Sequence, residues 1–549
     1  MSGTSTTIEC YDATLRDGMG GGGLTLTAEE KLRVVHALDE LGVHMIEAGF
    51  PSSNPKEQQL FELLAGERLG TSEIVAFGMT RRRDRAAGED EGLRILAECF
   101  APVCTLVGKS SVLHVEKVVR ASREENLAMI AESVAFLVAA GKRVLLDAEH
   151  FFDGFALDPA YALDCLRVAA DAGAERLVLC DTNGGSLPPF MRTAFAVVTE
   201  ALPGVPLGIH THDDSGCAVA NALTAVEAGA TQVQGTVNGI GERTGNANLI
   251  TMIADLQLKM GVEVLAPDRL ARLTDTAHFV DELLNRTPNP AQPYVGKHAF
   301  AHKAGLHAAG VQADTQTFEH VDPAVVGNSR DVLISELSGR GTILEKARQA
   351  GIAADDALAQ EVVERVKELE HEGFQFEAAD GSFELLLRKQ AGEYEPLFGL
   401  ESWRVIVEKH ADGRASTEAT IKIWIGGERY VRTAEGNGPV NALDRALRDA
   451  IGEIHPHLKD IDLVNFKVRI LDETKGTGAV TRVLIDASDG HDVWGSIGVA
   501  ENLIAASWDA LVDSLEYGMQ GRRRLATAPS PPSSPQVEGE GEKESSLHG

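Results

Sequence analysis

Between residue 8 and about residue 260 the chain alternates two hydrophobic rhythms. Short runs rich in aliphatic and β-branched residues read as strands: IECYDATL, HMIEAGF, EIVAFG, VCTLVGK, RVLLDAEH, RLVLCDT, PLGIHTHDD and QVQGTVNG. Between them lie longer stretches with apolar residues at helical spacing, such as EEKLRVVHALDELG, ENLAMIAESVAFLVAAG and CAVANALTAVEAGA. Several end on a glycine suited to a helix terminus (Gly42, Gly141, Gly173, Gly229), and Thr27 three residues before Glu30 marks a helix start. Eight strand–helix units over residues 1–270 predict an α/β fold, a closed (β/α)8 or TIM barrel. An open doubly wound sheet is the rival, but it typically has fewer strands.

After residue 270 the rhythm breaks. The segment RTPNPAQPYVGKHAFAHKAGLHAAGV is rich in proline and histidine, and one helical pattern runs from about residue 342 to 373, so residues 271–395 read as helical linker subdomains. Residues 396–520 are strand-rich with an internal repeat. IKIWIGGERYVRTAEGNGPVNALDRAL and RVLIDASDGHDVWGSIGVAENLIAASWDAL each predict a strand, a glycine turn, a second strand and a helix, which together form a pseudo-symmetric α/β domain. Residues 521–549 are rich in Pro, Ser and Glu and predict a disordered tail, with Arg522–Arg524 as a solvated helix end.

Composition narrows the functions open to such a chain. At 549 residues it needs more than one core. A net charge of −31 argues against a nucleic-acid or anionic-membrane partner, since both need a basic face. No apolar run approaches the roughly 20 residues that cross a bilayer, and no basic-then-apolar leader opens the chain. The six cysteines lack CxxC spacing and read as buried free thiols in a reducing cytoplasm.

The candidate chemistry falls at the C-terminal ends of the strands, where barrel side chains share one basin. GIHTHDDSG places His210 and His212 two residues apart, so both imidazoles face one side of strand 7. Asp17 lies at the end of strand 1 and Asn246 in the loop after strand 8, and barrel closure makes strands 7, 8 and 1 neighbours. One carboxylate, two imidazoles and an amide oxygen make a divalent-metal site with mixed N/O ligands, suited to Mg, Mn or Zn. Arg16, beside Asp17, is either a structural ion-pair partner or the holder of a substrate carboxylate or enolate oxygen. The glycines of MGGGG that follow would let backbone approach without filling the basin. Glu149 and Thr182 sit at the ends of strands 5 and 6, and Glu47 on strand 2 reads as a barrel-lining hydrogen-bond partner.

Together DATLRDG, EAGFPSSNPKE, AFGMTRRR, DAEHFFDG, LCDTNGG, HTHDDSGCAVANALTAVEAGATQVQGTVNGIGERTGNAN and AFAHKAGLH resemble the acyl-CoA-dependent Claisen condensing enzymes of the 2-isopropylmalate, homocitrate and citramalate synthase group. DAEHFFDG, LCDTNGG and QVQGTVNGIGER are most similar to its citramalate branch. The resemblance implies condensation of acetyl-CoA, as co-substrate, with an α-keto acid, pyruvate for the citramalate branch. It implies Glu149 and His307 as acid/base groups, Thr182 on the keto-acid carboxylate, and a keto-acid pocket around Met79, Leu106 and Asp147. It also implies a homodimer in which the linker carrying His307 reaches a neighbouring barrel, with His302 structural. A C-terminal regulatory domain would bind an amino-acid effector, isoleucine for that branch. Three positions depart from the group: Gly20 stands where Gln is common, Phe318 where Tyr is common, and Asp213 where Asn is common. Rival readings are a metal-dependent carbon–carbon lyase, which the C-terminal repeat opposes, a biotin-dependent carboxyltransferase, and a metabolite sensor that has lost catalysis.

Overall fold

The computed structural model describes residues 7–527 apart from 304, 453, 472–475 and 477. They form two compact units, one within 7–301 and 319–331, the other within 302–318 and 332–527.

Eight parallel strands close the barrel of the first unit in chain order: β1 (Glu9–Asp12), β2 (Met45–Gly49), β3 (Glu73–Met79), β4 (Val103–Lys109), β5 (Arg143–Glu149), β6 (Arg176–Asp181), β7 (Leu207–Thr211) and β8 (Gln232–Gly235), with β8 pairing back to β1. The eight strands of the sequence reading are all present. Strand alternation divides their side chains. Tyr11, Met45, Val75, Val103 and Leu145 fill the barrel interior, whereas Cys104, Leu106, Ile74 and Leu146 pack outward in the larger core shared with the helices. The helix Ala28–Leu41 begins with the capping box expected of Thr27 and Glu30, buries Val34, Val35, Leu38 and Leu41, and ends at Gly42.

The structure corrects the reading of β1, which stops at Asp12 rather than running to Asp17. The Asp12 carboxylate accepts from the Thr14 N–H (3.0 Å) and from the Thr14 hydroxyl (2.6 Å), an Asx-type turn that bends the chain away from the sheet. Arg16 and Asp17 therefore ride on the following turn, which continues into a 3₁₀ turn at Gly18–Gly20.

In the second unit the single helical pattern of 342–373 is two helices, Arg340–Gln349 and Asp356–Glu372. Gly351, at φ +66°, ends the first, and the Asp355 carboxylate caps the second by accepting from the Leu358 N–H. The C-terminal repeat holds three strands per copy where the sequence reading has two: β9 (Gly399–Lys409), β10 (Ala415–Ile425), β11 (Glu428–Gly436) and the helix Pro439–Ile451, then β12 (Asp462–Ile470), β13 (Thr481–Ser488), β14 (Val493–Ala500) and the helix Leu503–Thr527. The strands missed, β9 and β12, are edge strands. Each carries a register shift near its start (Leu400/Ser402 and Leu463/Asn465) and pairs regularly beyond it, ahead of the segment that shows the repeat. The last helix continues past residue 520 to Thr527, into the tail expected at 521–549, and the rest of that tail, 528–549, lies outside the described residues.

Candidate active site

The turn after β1, the end of β7 and the loop after β8 converge at the C-terminal mouth of the barrel. Asp17 Oδ2 lies 3.1 Å from His210 Nε2 and 3.6 Å from His212 Nε2, and the two Nε2 atoms are 3.3 Å apart. Among the described residues this is the one cluster of three carboxylate, imidazole or thiol groups close enough to share a cation. Residue 212 pairs backbone to backbone with Asn246, which brings the asparagine to the same edge. Asn246 Oδ1 is buried with no hydrogen-bond partner among the described residues, while its Nδ2 donates to the Ile240 carbonyl. A buried amide oxygen without a partner, next to one carboxylate and two imidazoles, is the donor set of a divalent cation, so these residues fit a metal.

Electrostatics favour the same occupant. Burial opposes ionisation of Asp17, yet Arg16 and then His210 hold its carboxyl well below the usual range. Burial and the neighbouring His210 push His212 down to about 4, so its imidazole is neutral and keeps a lone pair. His210 Nδ1 lies 2.9 Å from Gln234 Oε1, an acceptor that would hold Nδ1–H and leave Nε2 to coordinate once a cation lies between it and Asp17. Gln234 Nε2 in turn donates to Asp147 Oδ1 at 3.3 Å. The sequence reading missed Gln234. Its signal is the QVQ run of β8, two amides on the interior face of a buried strand.

Arg16 is gripped from one side: Nε and Nη2 donate to the two Glu47 oxygens at 3.1 and 3.0 Å. Its guanidinium lies over the Phe77 ring at 3.9 Å, and Nη1 is 3.5 Å from Asp17 Oδ1. Glu47 is fully buried, and burial pushes its carboxyl up to about 7 despite Arg16. The partner role expected of Glu47 thus has a specific object, the guanidinium. Of the glycines, Gly18 and Gly21 lie close to the loop after β8: a Cβ would meet Ile240 Cγ1 at 3.0 Å and the Gly241 carbonyl at 2.9 Å. Gly22 and Gly23 have no such contact, so the expected close approach holds for part of the run only. A Cβ at Gly20 would meet nothing nearer than 3.7 Å.

Glu149 is the last residue of β5, its carboxylate paired with Lys109 at the end of β4. Thr182 directly follows β6; its Oγ1 accepts from the His150 N–H at 2.8 Å and its carbonyl accepts from Arg243 Nη2 at 2.8 Å. Arg243 also pairs with Asp214, tying together the loops after β6, β7 and β8. Asp213 caps the next helix by accepting from the Ala218 N–H. His307 belongs to the second unit, where it is exposed and stacked on Phe318 at 4.2 Å between ring centroids, while His302 is buried.

A groove of about 700 Å³ opens at the ends of β3 and β4, lined among others by Phe50, Met79, Arg82, Arg83, Val107 and Lys109. Here the reading of Leu106 is corrected. Leu106 faces the helices, and alternation gives the mouth its neighbour Val107, which pairs with both Met79 and Asp147.

Models of three known families match the chain in succession: HMGL-like over residues 7–280, homocitrate synthase post-HMGL domain-like over 294–373, and LeuA allosteric (dimerisation) domain over 377–519. The chain is similar to an (R)-citramalate synthase of Streptomyces coelicolor, 51% identical over 93% of this chain and 96% of the relative. It is also similar to those of Geobacter sulfurreducens (46%, covering 93% and 97%) and Aquifex aeolicus (44%, covering 93% and 97%).

Proposed function

Because the chain belongs to the family of the (R)-citramalate synthases, we propose that it condenses acetyl-CoA with pyruvate to give (R)-citramalate and free CoA. The observation that carries this reading is the Asp17–His210–His212 cluster beside Arg16 at the mouth of the barrel. Those three residues, with Asn246, would hold Mg, Mn or Zn, and a cation bound there supplies Lewis-acid polarisation of the keto group.

Arg16, anchored on Glu47, offers its remaining edge to the keto-acid oxygen that gains negative charge. Thr182 uses its Oγ1 as acceptor from the His150 N–H, so its own hydroxyl proton is free to donate to the keto-acid carboxylate. Glu149 and His307 move the protons, removing one from the acetyl methyl group and returning one to the new alkoxide. His307 would come from a neighbouring copy of the chain. The methyl carbon bonds to the keto carbon, and hydrolysis of the thioester releases the CoA thiol. The groove beside β3 and β4 suits the acyl-CoA, with Arg82 and Arg83 offering positive charge to its phosphates.

The C-terminal repeat would bind the amino-acid end product, isoleucine, and join two copies. The family matched there is named for both roles, and the repeat exposes apolar side chains such as Phe466 and Val468. A cytoplasmic location agrees with six free cysteines, four of them buried, and no described helix is long and apolar enough to cross a membrane.

Free-thiol release from acetyl-CoA tests the reading, with Mg²⁺ or Mn²⁺ and a panel of pyruvate, 2-oxoisovalerate and 2-oxoglutarate. Release with pyruvate alone is expected. Release only with another acceptor changes the substrate, and none with any acceptor overturns the activity.

A further inference from the structure

Lys31 is an unexpected residue to find sealed inside a helix face. It sits on Ala28–Leu41 and is only 2% exposed. Its Nζ donates to two acceptors: the Leu15 carbonyl at 2.9 Å and Glu57 Oε1 at 2.5 Å. Glu57 belongs to the helix Pro55–Leu64 that follows β2 and is itself buried.

Both partners reach the Arg16–Glu47 clamp from behind. Leu15 directly precedes Arg16, so the ammonium anchors the peptide from which Arg16 and Asp17 project. On the other side, Glu57 Oε2 has no hydrogen-bond partner among the described residues and presses against Gly49, two residues after Glu47. A Cβ at residue 49 would lie 1.9 Å from that oxygen and displace it, and the backbone there has φ +141°, a conformation that favours glycine. One buried ion pair thus touches the chain beside Arg16 and the chain beside Glu47.

Two charges buried this thoroughly are poor evidence of stabilisation, because the desolvation they suffer rivals their attraction, and apolar replacements of similar volume often serve the fold as well. A carbonyl held by a charged donor, in contrast, fixes a position. We propose that Lys31 and Glu57 are positioning residues: they set the height of the turn that carries Arg16 and Asp17, so that the guanidinium and the metal-binding carboxylate stand correctly at the mouth. The catalytic half of this inference rests on the function proposed above; the half concerning Asp17 does not.

The test replaces the pair with apolar residues of similar size, Lys31→Met with Glu57→Leu, in the full chain. Three quantities are read: Tm, the Mn²⁺ dissociation constant by electron paramagnetic resonance, and kcat with KM for each substrate. The single variants, which strand one buried charge, are expected to lower Tm, and the double variant to recover it. Recovery of the fold is not expected to restore the site. The double variant should bind Mn²⁺ about tenfold more weakly and turn over on the order of 100-fold more slowly, as a displaced reacting group would, with KM for acetyl-CoA unchanged. A double variant with wild-type Tm, Mn²⁺ affinity and kcat overturns the proposal. Should the double variant not fold, the isosteric Glu57→Gln takes its place, and unchanged Mn²⁺ affinity and kcat there overturn it equally. Wild-type protein inactive on pyruvate would count against the proposed function alone, because Mn²⁺ affinity still reads the placement of Asp17.

Discussion

In the barrel the unusual side chains are buried and polar, whereas in the C-terminal repeat they are exposed and apolar. Around the mouth, Glu47, Asp147, His210, Asn246 and Gln234 are all buried. On the repeat, Val464, Phe466, Val468 and Ile470 of β12 and Trp424 of β10 are largely exposed. Each departs from ordinary burial in the direction that suits a different task. A closed barrel has no sheet edges to protect, so it can concentrate costly polar groups at one end, where each either has a partner or awaits a ligand. The repeat keeps open three-stranded sheets whose edge strands carry apolar residues in water, the composition of a surface that another chain covers.

That contrast can be broken at either end, and the largest effect belongs to the barrel. His212→Ala removes a proposed metal ligand and should abolish pyruvate-dependent thiol release, a loss well beyond about 100-fold, together with bound metal by elemental analysis. Gln234→Met leaves every ligand in place but takes away the acceptor that orients His210. Metal affinity should then fall by about 10–100-fold at unchanged stoichiometry, read by equilibrium dialysis. At the repeat, Phe466→Asp with Val468→Asp should dissociate the proposed dimer in sedimentation and lower Tm by the stabilisation that association contributes. If the double variant stays dimeric, that apolar face is not the interface. Truncation after residue 395 should keep part of the proposed condensation activity and lose the proposed inhibition by isoleucine. The smallest effect is Thr27→Ala, which deletes the capping-box hydroxyl on the barrel's first helix; it should cost about 1 kcal/mol in thermal unfolding without changing metal affinity.

Sequence rhythm shows what obeys a period and hides what depends on a turn. The eight barrel strands are legible because each is a short apolar run set between helical patterns. His210 and His212 are legible as a pair because two residues is the period of a strand. Asp17 reaches the mouth by a route that strand rhythm does not show: β1 ends at Asp12, and a side-chain turn carries Arg16 and Asp17 there. One residue along a strand reverses the face, so of the positions around Leu106 it is Val107 that lines the groove at the mouth, while Leu106 itself packs against the helices. β9 and β12 lie before the two segments that carry the repeat, and the alternation of Val464, Phe466, Val468 and Ile470 along β12 is the signal that reveals it. Gln234 and Lys31 escaped for a different reason. Their importance lies in which distant atoms they reach, His210 Nδ1 and the Leu15 carbonyl, and no local pattern encodes that.

The central claim is that Asp17, His210 and His212 close around a single cation, and the absorption spectrum of the cobalt-substituted protein tests it most directly. Titration with Co²⁺ should give one equivalent of tightly bound metal with visible ligand-field bands, and those bands should be lost or shifted in Asp17→Asn and in His212→Ala. Bands and stoichiometry identical to wild type in both variants would show that the metal binds elsewhere and would contradict the account.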